Sequence, residues 1–184
     1  MFWSIAPLVL ACILLAALVG RCSFAPSGPT PGPTPVFDVP VALKADAAAL
    51  KIPLRIPAVP PNWHANSGSR GGIDGGRVDP VTGQRVRALS STVGYLTASG
   101  MYLALIQSNA DEQSLVGSIH RGMYPTGVQD IDGVHWVVYD GAGDTEPVWT
   151  VRLPGPEQVA VSGAASADDY RVLAKAVQAA TPLK

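Results

Sequence analysis

Cysteine is almost absent from the 184-residue chain, and both cysteines, Cys12 and Cys22, lie near its start. No cysteine follows Cys22, so the rest of the chain has neither a disulfide framework nor a cysteine-based metal site. Charge is also sparse, since charged residues make up 15% of the chain and the formal net charge is −1. Nucleic-acid-binding proteins gain affinity by neutralising phosphates, so this lack of a basic excess argues against a nucleic-acid partner.

The densest basic region is short and is interrupted by two aspartates. It contains Arg70, Arg77, Arg85 and Arg87. The first interpretation is a solvated loop, because exposed charges usually serve solubility. The alternative is a weak patch for an anionic ligand.

Residues 2–20, FWSIAPLVLACILLAALVG, carry no charge. As a helix rising ~1.5 Å per residue they would span roughly 28 Å, enough for the hydrocarbon core of a bilayer. A cleaved signal peptide would need basic residues ahead of this run and a cleavable site, but Pro26 directly follows the best candidate, residues 23–25. Lipidation of Cys22 would need a small residue where Arg21 stands. The sequence therefore predicts an uncleaved, single-pass anchor in the lipid bilayer of the plasma membrane.

Residues 21–40 hold a proline-rich stretch, with six prolines between positions 26 and 40. Proline fixes φ and lacks a donor, so this stretch predicts an extended linker without helix or central strand. A stiff spacer beside a membrane span is typical of a domain held away from the outer surface, which favours an extracytoplasmic domain. The positive-inside rule counts only Arg21 and favours the opposite orientation, so both orientations stay open.

The patterns of residues 41–184 predict one α+β domain. Two apolar alternating runs, 92–97 and 101–107, flank an Ala-Ser-Gly break and predict a hairpin. The second run is apolar on both faces, which predicts a central strand. A second hairpin is predicted about Asp132-Gly133, and two more strands follow it. Because the strands come mostly as hairpins, with helices between and after them, we expect an antiparallel sheet with helices packed on one face.

Capping signals predict where the later helices begin. Asn109 with Glu112, and Ser166 with Asp169, have the spacing of a capping box. An alanine-rich stretch at 44–51 predicts a further short helix.

Two segments of the domain are rich in proline or glycine, which interrupt regular helices and strands. Residues 54–63, LRIPAVPPNW, predict an edge strand running into a turn. Residues 67–83 contain six glycines and match neither a P-loop nor a dinucleotide fingerprint. They predict a mobile loop, with a ligand lid as the alternative.

Residues that carry chemistry are few. His64, His120 and His135 have no metal-ligand spacing, and each is expected to be a surface or structural histidine. The Asp130-x-Asp132 pair resembles the start of a calcium loop but lacks the later ligands and the terminal Glu. No Ser lies in a nucleophile elbow. We therefore expect no catalytic residue, no metal and no cofactor.

Trp63, Trp136 and Trp149 are the most informative side chains for a binding site. Packing in a core is the first interpretation. The alternative is an aromatic-lined groove for a lipid, a glycan or a peptide.

Several segments together resemble a known family. They are LRIPAVPPNW, VGYLTASGMYLALIQSN, DIDGVHWVVYD and the closing helix after VAVSGAAS, with an apolar span at the start. The chain resembles the actinobacterial membrane-anchored family known as domain of unknown function 4245. It departs from that family in lacking basic residues ahead of the span. The resemblance implies an exported single-span protein, and it implies no activity and no functional residues.

Three functional hypotheses follow. The leading one is a non-enzymatic, membrane-anchored domain that binds or scaffolds an envelope protein, lipid or glycan. The second is a carrier of a hydrophobic ligand in a pocket lined by Trp136 and Trp149. The third is a hydrolase using His64 or His135, which requires a histidine and an acid within hydrogen-bond reach in a cleft.

Overall fold

The computed structural model describes residues 37–155 and 157–183, together with the single residue Cys12. Apart from Cys12, the predicted anchor over residues 2–20 lies outside the described residues, and so does most of the predicted linker over 21–40. Among the described residues, no helix is long and apolar enough to cross a membrane.

The described residues form three helices and seven strands, which confirms the α+β class. In chain order these elements are α1 (Val39–Leu50), β1 (His64–Val78), β2 (Arg85–Leu96), β3 (Tyr102–Ser108), α2 (Glu112–Ile119), β4 (Tyr124–Ile131), β5 (Val134–Asp140), β6 (Val148–Arg152), β7 (Gln158–Gly163) and α3 (Ala167–Ala179).

All seven strands belong to one antiparallel sheet in the order β1-β2-β3-β7-β6-β5-β4. The two predicted hairpins are present as β2–β3 and β4–β5. Strand β3 is central, because Leu105 lies opposite Val93 of β2 on one side and Val161 of β7 on the other. Neighbouring side chains on this strand point to opposite faces of the sheet. Because the neighbours Leu105 and Ile106 are both buried, other elements must cover both faces.

The two faces of the sheet are covered by different helices. Helices α1 and α3 pack on the face that carries Leu105 and Val161. Helix α2 packs on the opposite face, against Ile106 and Ala160. The prediction that the helices share one face is therefore wrong for α2. The reason is that the apolar residues at alternate positions of β3 and β7 give the sheet a second apolar surface.

The glycine-rich segment predicted as a mobile loop is mostly strand. Strand β1 extends to Val78 and pairs with β2 along most of its length, so only the turn at 79–84 remains a loop. The glycines leave room for side chains that lie across the strand. A Cβ at Gly68 would overlap the ring of Phe37, and a Cβ at Gly72 would overlap the guanidinium of Arg87. Strand pairing here depends on neighbours that the local sequence does not reveal.

Two helices begin at residues other than those predicted. Helix α1 begins at Val39, inside the segment assigned to the linker, and Asp38 caps it by accepting a hydrogen bond from the Val41 amide at 3.1 Å. Helix α2 is capped by Asp111, because the Asn109 side chain accepts from the Leu89 amide at 2.8 Å instead. The capping box predicted for α3 is present.

Residues 54–63 do not form the predicted edge strand. Arg55 makes one isolated bridge with Pro182, and the Arg55 side chain is buried against Glu157, with Nε and Oε2 3.0 Å apart. The backbone of Arg55 is held by the buried side chain of Gln107. The Arg55 amide donates to Gln107 Oε1 at 2.7 Å, and Gln107 Nε2 donates to the Arg55 carbonyl at 2.9 Å. The segment therefore packs against β3 through Gln107 without joining the sheet as a strand.

Candidate functional site

The three tryptophans proposed for a groove lie in the core. Trp63, Trp136 and Trp149 are 7%, 0% and 5% exposed and belong to the same apolar cluster as α1 and α3. Trp136 Nε1 donates to Gln178 Oε1 at 3.0 Å, and the Trp149 ring lies 5.1 Å from that of Tyr170. In this conformation the rings serve packing, and an aromatic groove for a ligand stays a prediction.

One histidine has an acidic partner. His135 Nδ1 lies 3.1 Å from Asp130 Oδ2 across the β4–β5 hairpin, and both side chains are exposed. This pair meets the distance requirement of the hydrolase hypothesis, but it lies on an exposed hairpin. His64 is exposed at the start of β1, and His120 is half-buried at the end of α2. Within the described ranges, no group of three or more metal-ligating side chains is placed to hold a metal ion.

An apolar groove of about 490 Å³ runs between residues 56–60 and helix α3. Ile56 and Val59 line one side of it, and Val172 and Ala176 line the other. The groove is open to solvent.

A second pocket, of about 620 Å³, lies where β3 and β6 end. Its cationic lining residues are Lys51 at the end of α1, Arg77 near the end of β1 and Arg152 at the end of β6. Leu50 and Leu89 supply apolar lining. We call this site the basic pocket.

The cations of the basic pocket differ from most others in the described domain because none of them forms an ion pair within 4.0 Å. Of the 13 Lys and Arg residues, all but Arg21 and Lys184 are described, and the described ranges contain all 14 Asp and Glu residues. The cations in ion pairs are Arg55, Arg70, Arg85, Arg87, Arg171 and Lys175. The described cations without an ion pair are Lys44, Lys51, Arg77, Arg121 and Arg152. Three of these five therefore line a single pocket.

Hydrogen bonding does not satisfy these cations either. The Nε of Arg77 is shielded from solvent and has no acceptor among the described residues. Arg152 makes one long hydrogen bond, from Nη2 to the Ala110 carbonyl at 3.3 Å. A shielded charged donor without an acceptor is costly, so its position calls for an acceptor that the described chain does not supply.

The carboxylates near the pocket are engaged elsewhere. Asp111 accepts from the Ser114 amide at 2.9 Å and from Arg85 Nη2 at 2.7 Å. Burial opposes ionisation of Asp111, but these hydrogen bonds outweigh burial and lower its pKa below the ordinary value. The pKa of Asp79 is lowered mainly by the amides of Thr82 and Val81 in the β1–β2 turn. Both groups are therefore ionised at neutral pH.

The charge balance of the pocket is positive. The lining residues include three cations, Lys51, Arg77 and Arg152, and one carboxylate, Asp111, which leaves an excess of two positive charges.

The sequence analysis singled out only one of the three pocket cations. It grouped Arg77 with Arg70, Arg85 and Arg87, but those three have carboxylate partners in the structure. Arg77 instead joins Lys51 and Arg152, which are distant in the chain. No local pattern signals this grouping, because it depends on where the sheet brings three strand and helix ends together.

Comparisons with known proteins identify a family without an assigned function. Residues 1–177 match the family model described as a protein of unknown function, DUF4245. No curated protein and no solved structure matches the chain.

Proposed function

The chain belongs to the DUF4245 family, and on that premise we propose that it is a membrane-anchored extracytoplasmic domain that binds a component of the cell envelope without catalysing a reaction. The observation that carries the proposal is the basic pocket, in which three cations that form no ion pair line an open space of about 620 Å³. Cations that form no ion pair within the domain are free to bind an anionic group of a ligand.

The anchoring part of the proposal rests on the sequence. Residues 2–20 are uncharged and long enough to cross a bilayer as a helix. The proline-rich residues after them favour an extended spacer between that span and the folded domain.

The binding part of the proposal rests on the chemistry of the pocket lining. The described residues that line the basic pocket include no Ser, Cys, His or Tyr. Its carboxylate, Asp111, caps α2 and pairs with Arg85, so it is a poor proton acceptor. Fixed positive charge without a nucleophile or a base favours binding over catalysis.

Cysteine labelling of intact cells tests the location. We would replace Cys12 and Cys22 with Ser and introduce Val81→Cys, because Val81 is 90% exposed in the β1–β2 turn. A membrane-impermeant maleimide should label this variant before lysis. Ala160→Cys in the same background is the matched control, since Ala160 is fully buried and should react only after denaturation. Labelling of Val81→Cys only after lysis would contradict the extracytoplasmic location.

A second candidate function, a carrier of hydrophobic ligands, is favoured by the apolar groove beside α3. A neutral dye such as Nile red should then bind in the groove. The variant Val172→Gln should weaken dye binding, whereas Val41→Gln, at another exposed valine, should not. Equal dye fluorescence in the two variants would rule against the groove as a carrier site.

A further inference from the structure

We propose that the basic pocket binds a phosphate monoester group, carried either by a small organic molecule or by a lipid headgroup. This inference rests on the proposed function only in treating the pocket as the binding site. It does not depend on which side of the membrane the domain faces.

The first argument is the placement of charge. Cations that serve only solubility are expected to be dispersed, as Lys44 on α1 and Arg121 after α2 are. Lys51, Arg77 and Arg152 instead line one pocket without forming ion pairs, and only one carboxylate, Asp111, lines it with them. The three cations therefore repel one another. An anion in the pocket would relieve that repulsion.

The second argument is the type of cation. Arginine presents a planar fork that matches the oxygens of a phosphate group, and lysine supplies a point charge. Two arginines and one lysine therefore suit a tetrahedral oxyanion. The local excess of two positive charges also matches a phosphate monoester, which carries about −1.5 to −2 near neutral pH. A single carboxylate would leave one charge unmatched.

The third argument is the shielded Nε of Arg77. This donor has no acceptor among the described residues, although the side chain lines the pocket. A phosphate oxygen at the pocket wall would supply the missing acceptor.

The fourth argument is the backbone at Lys51. This residue adopts a left-handed conformation, with φ 57° and ψ 39°, as the C-cap of α1. Glycine or asparagine is favoured there, because other side chains crowd the backbone in this conformation. The left-handed backbone therefore favours glycine over lysine. The helix dipole favours a cation at this end of α1, and an anion in the pocket would add to the reasons for a lysine.

The size of the pocket indicates more than an isolated phosphate. A volume of about 620 Å³ lies within the range of small-molecule sites, and Leu50, Val78 and Leu89 line part of it. The ligand class is therefore a phosphate ester with a small organic portion.

Titration of the full chain in neutral detergent micelles tests the proposal. Glycerol 3-phosphate is the soluble probe, and glycerate is its singly charged counterpart. For the lipid probe, the full chain is reconstituted in phosphatidylcholine vesicles free of detergent. Binding is compared between vesicles with and without phosphatidic acid. We expect glycerol 3-phosphate or phosphatidic acid to bind, glycerate to bind more weakly, and added salt to reduce binding.

Five variants locate the site. Lys51→Gly, Arg77→Gln and Arg152→Gln each remove one pocket cation and should weaken binding roughly tenfold or more. Lys44→Gln and Arg121→Gln remove unpaired cations outside the pocket and should leave binding unchanged. Lys51→Gly keeps the test decisive even if Arg77→Gln fails to fold, because glycine suits the left-handed C-cap.

The outcomes are distinct. Binding of phosphatidic acid alone would assign a lipid headgroup as the source, and binding of glycerol 3-phosphate alone would assign a soluble ester. No binding of either probe at low salt would overturn the proposal, and so would equal weakening in the pocket and control variants. Labelling of Val81→Cys only after lysis would remove the envelope function and leave the phosphate site standing.

Discussion

Replacing Gln107 with Leu is expected to lower the free energy of unfolding by about 2–6 kcal/mol. Gln107 is buried on the central strand β3, and its side-chain amide makes two hydrogen bonds with the backbone of Arg55, at 2.7 and 2.9 Å. Leucine has a similar volume, so the substitution leaves little cavity. The cost comes from the amide and carbonyl of Arg55, since each buried unpaired group costs about 1–3 kcal/mol.

Urea unfolding of the full chain in neutral detergent measures this loss. The isosteric variant Gln107→Glu separates the two hydrogen bonds. A carboxylate accepts from the Arg55 amide but cannot donate to the Arg55 carbonyl, so this variant removes one bond and keeps the other. Amide hydrogen exchange gives a local measurement, and the Arg55 amide should exchange faster in Gln107→Leu than in the unchanged chain. The reasoning would be refuted if Gln107→Leu were as stable as the unchanged chain and Arg55 stayed protected.

Three further predictions concern the sheet and the capping of α2. Leu105→Ala should cost about 2–5 kcal/mol in urea unfolding, because Leu105 is fully buried, whereas Val128→Ala at an exposed edge position should cost far less. Gly163→Ala should lower the free energy of unfolding by about 1–3 kcal/mol, since φ is 150° and a Cβ would overlap the Tyr102 carbonyl. The melting temperature should fall with it, and an unchanged melting temperature would contradict this prediction. The lowered pKa of Asp111 adds stability above its ordinary pKa of 3.8 that is lost as the pH falls through the folded-state value. In Asp111→Asn the free energy of unfolding should therefore fall less steeply as the pH is lowered through the acidic range. The same acid dependence in the variant and the unchanged chain would contradict this prediction.

The sequence predicts those elements whose causes are local. The β2–β3 hairpin depends on alternation over adjacent residues and on Gly100, which adopts a positive φ of 78° in the turn. The capping box of α3 depends on Ser166 and Asp169, which are three residues apart. In both cases the interacting groups lie within one short window, so the pattern and its physical cause coincide.

The elements that sequence reasoning missed depend on distant partners. Strand β1 is rich in glycine, and side chains such as Phe37 and Arg87 occupy the space that its own side chains would fill. Asn109 and Asp111 are both good helix caps, and the choice between them follows from the Leu89 amide, which binds Asn109. A single sequence window contains neither cause.

The candidate site is missed for the same reason. Charge runs in the sequence point to Arg70, Arg85 and Arg87, but each of these finds a carboxylate in the fold. What marks a binding pocket is which cations stay unpaired, and that is a property of the folded domain as a whole.

Lys51 separates the requirements of the fold from those of the proposed ligand. A non-glycine residue in the left-handed region costs roughly 1–2 kcal/mol, so Lys51→Gly should leave the domain as stable as before or more stable. The same substitution removes a pocket cation and should weaken phosphate binding. A thermal melt and a titration on this one variant therefore test both consequences. Lower stability in Lys51→Gly would mean that the lysine serves the fold, and the conformational argument for an anion site would then fail.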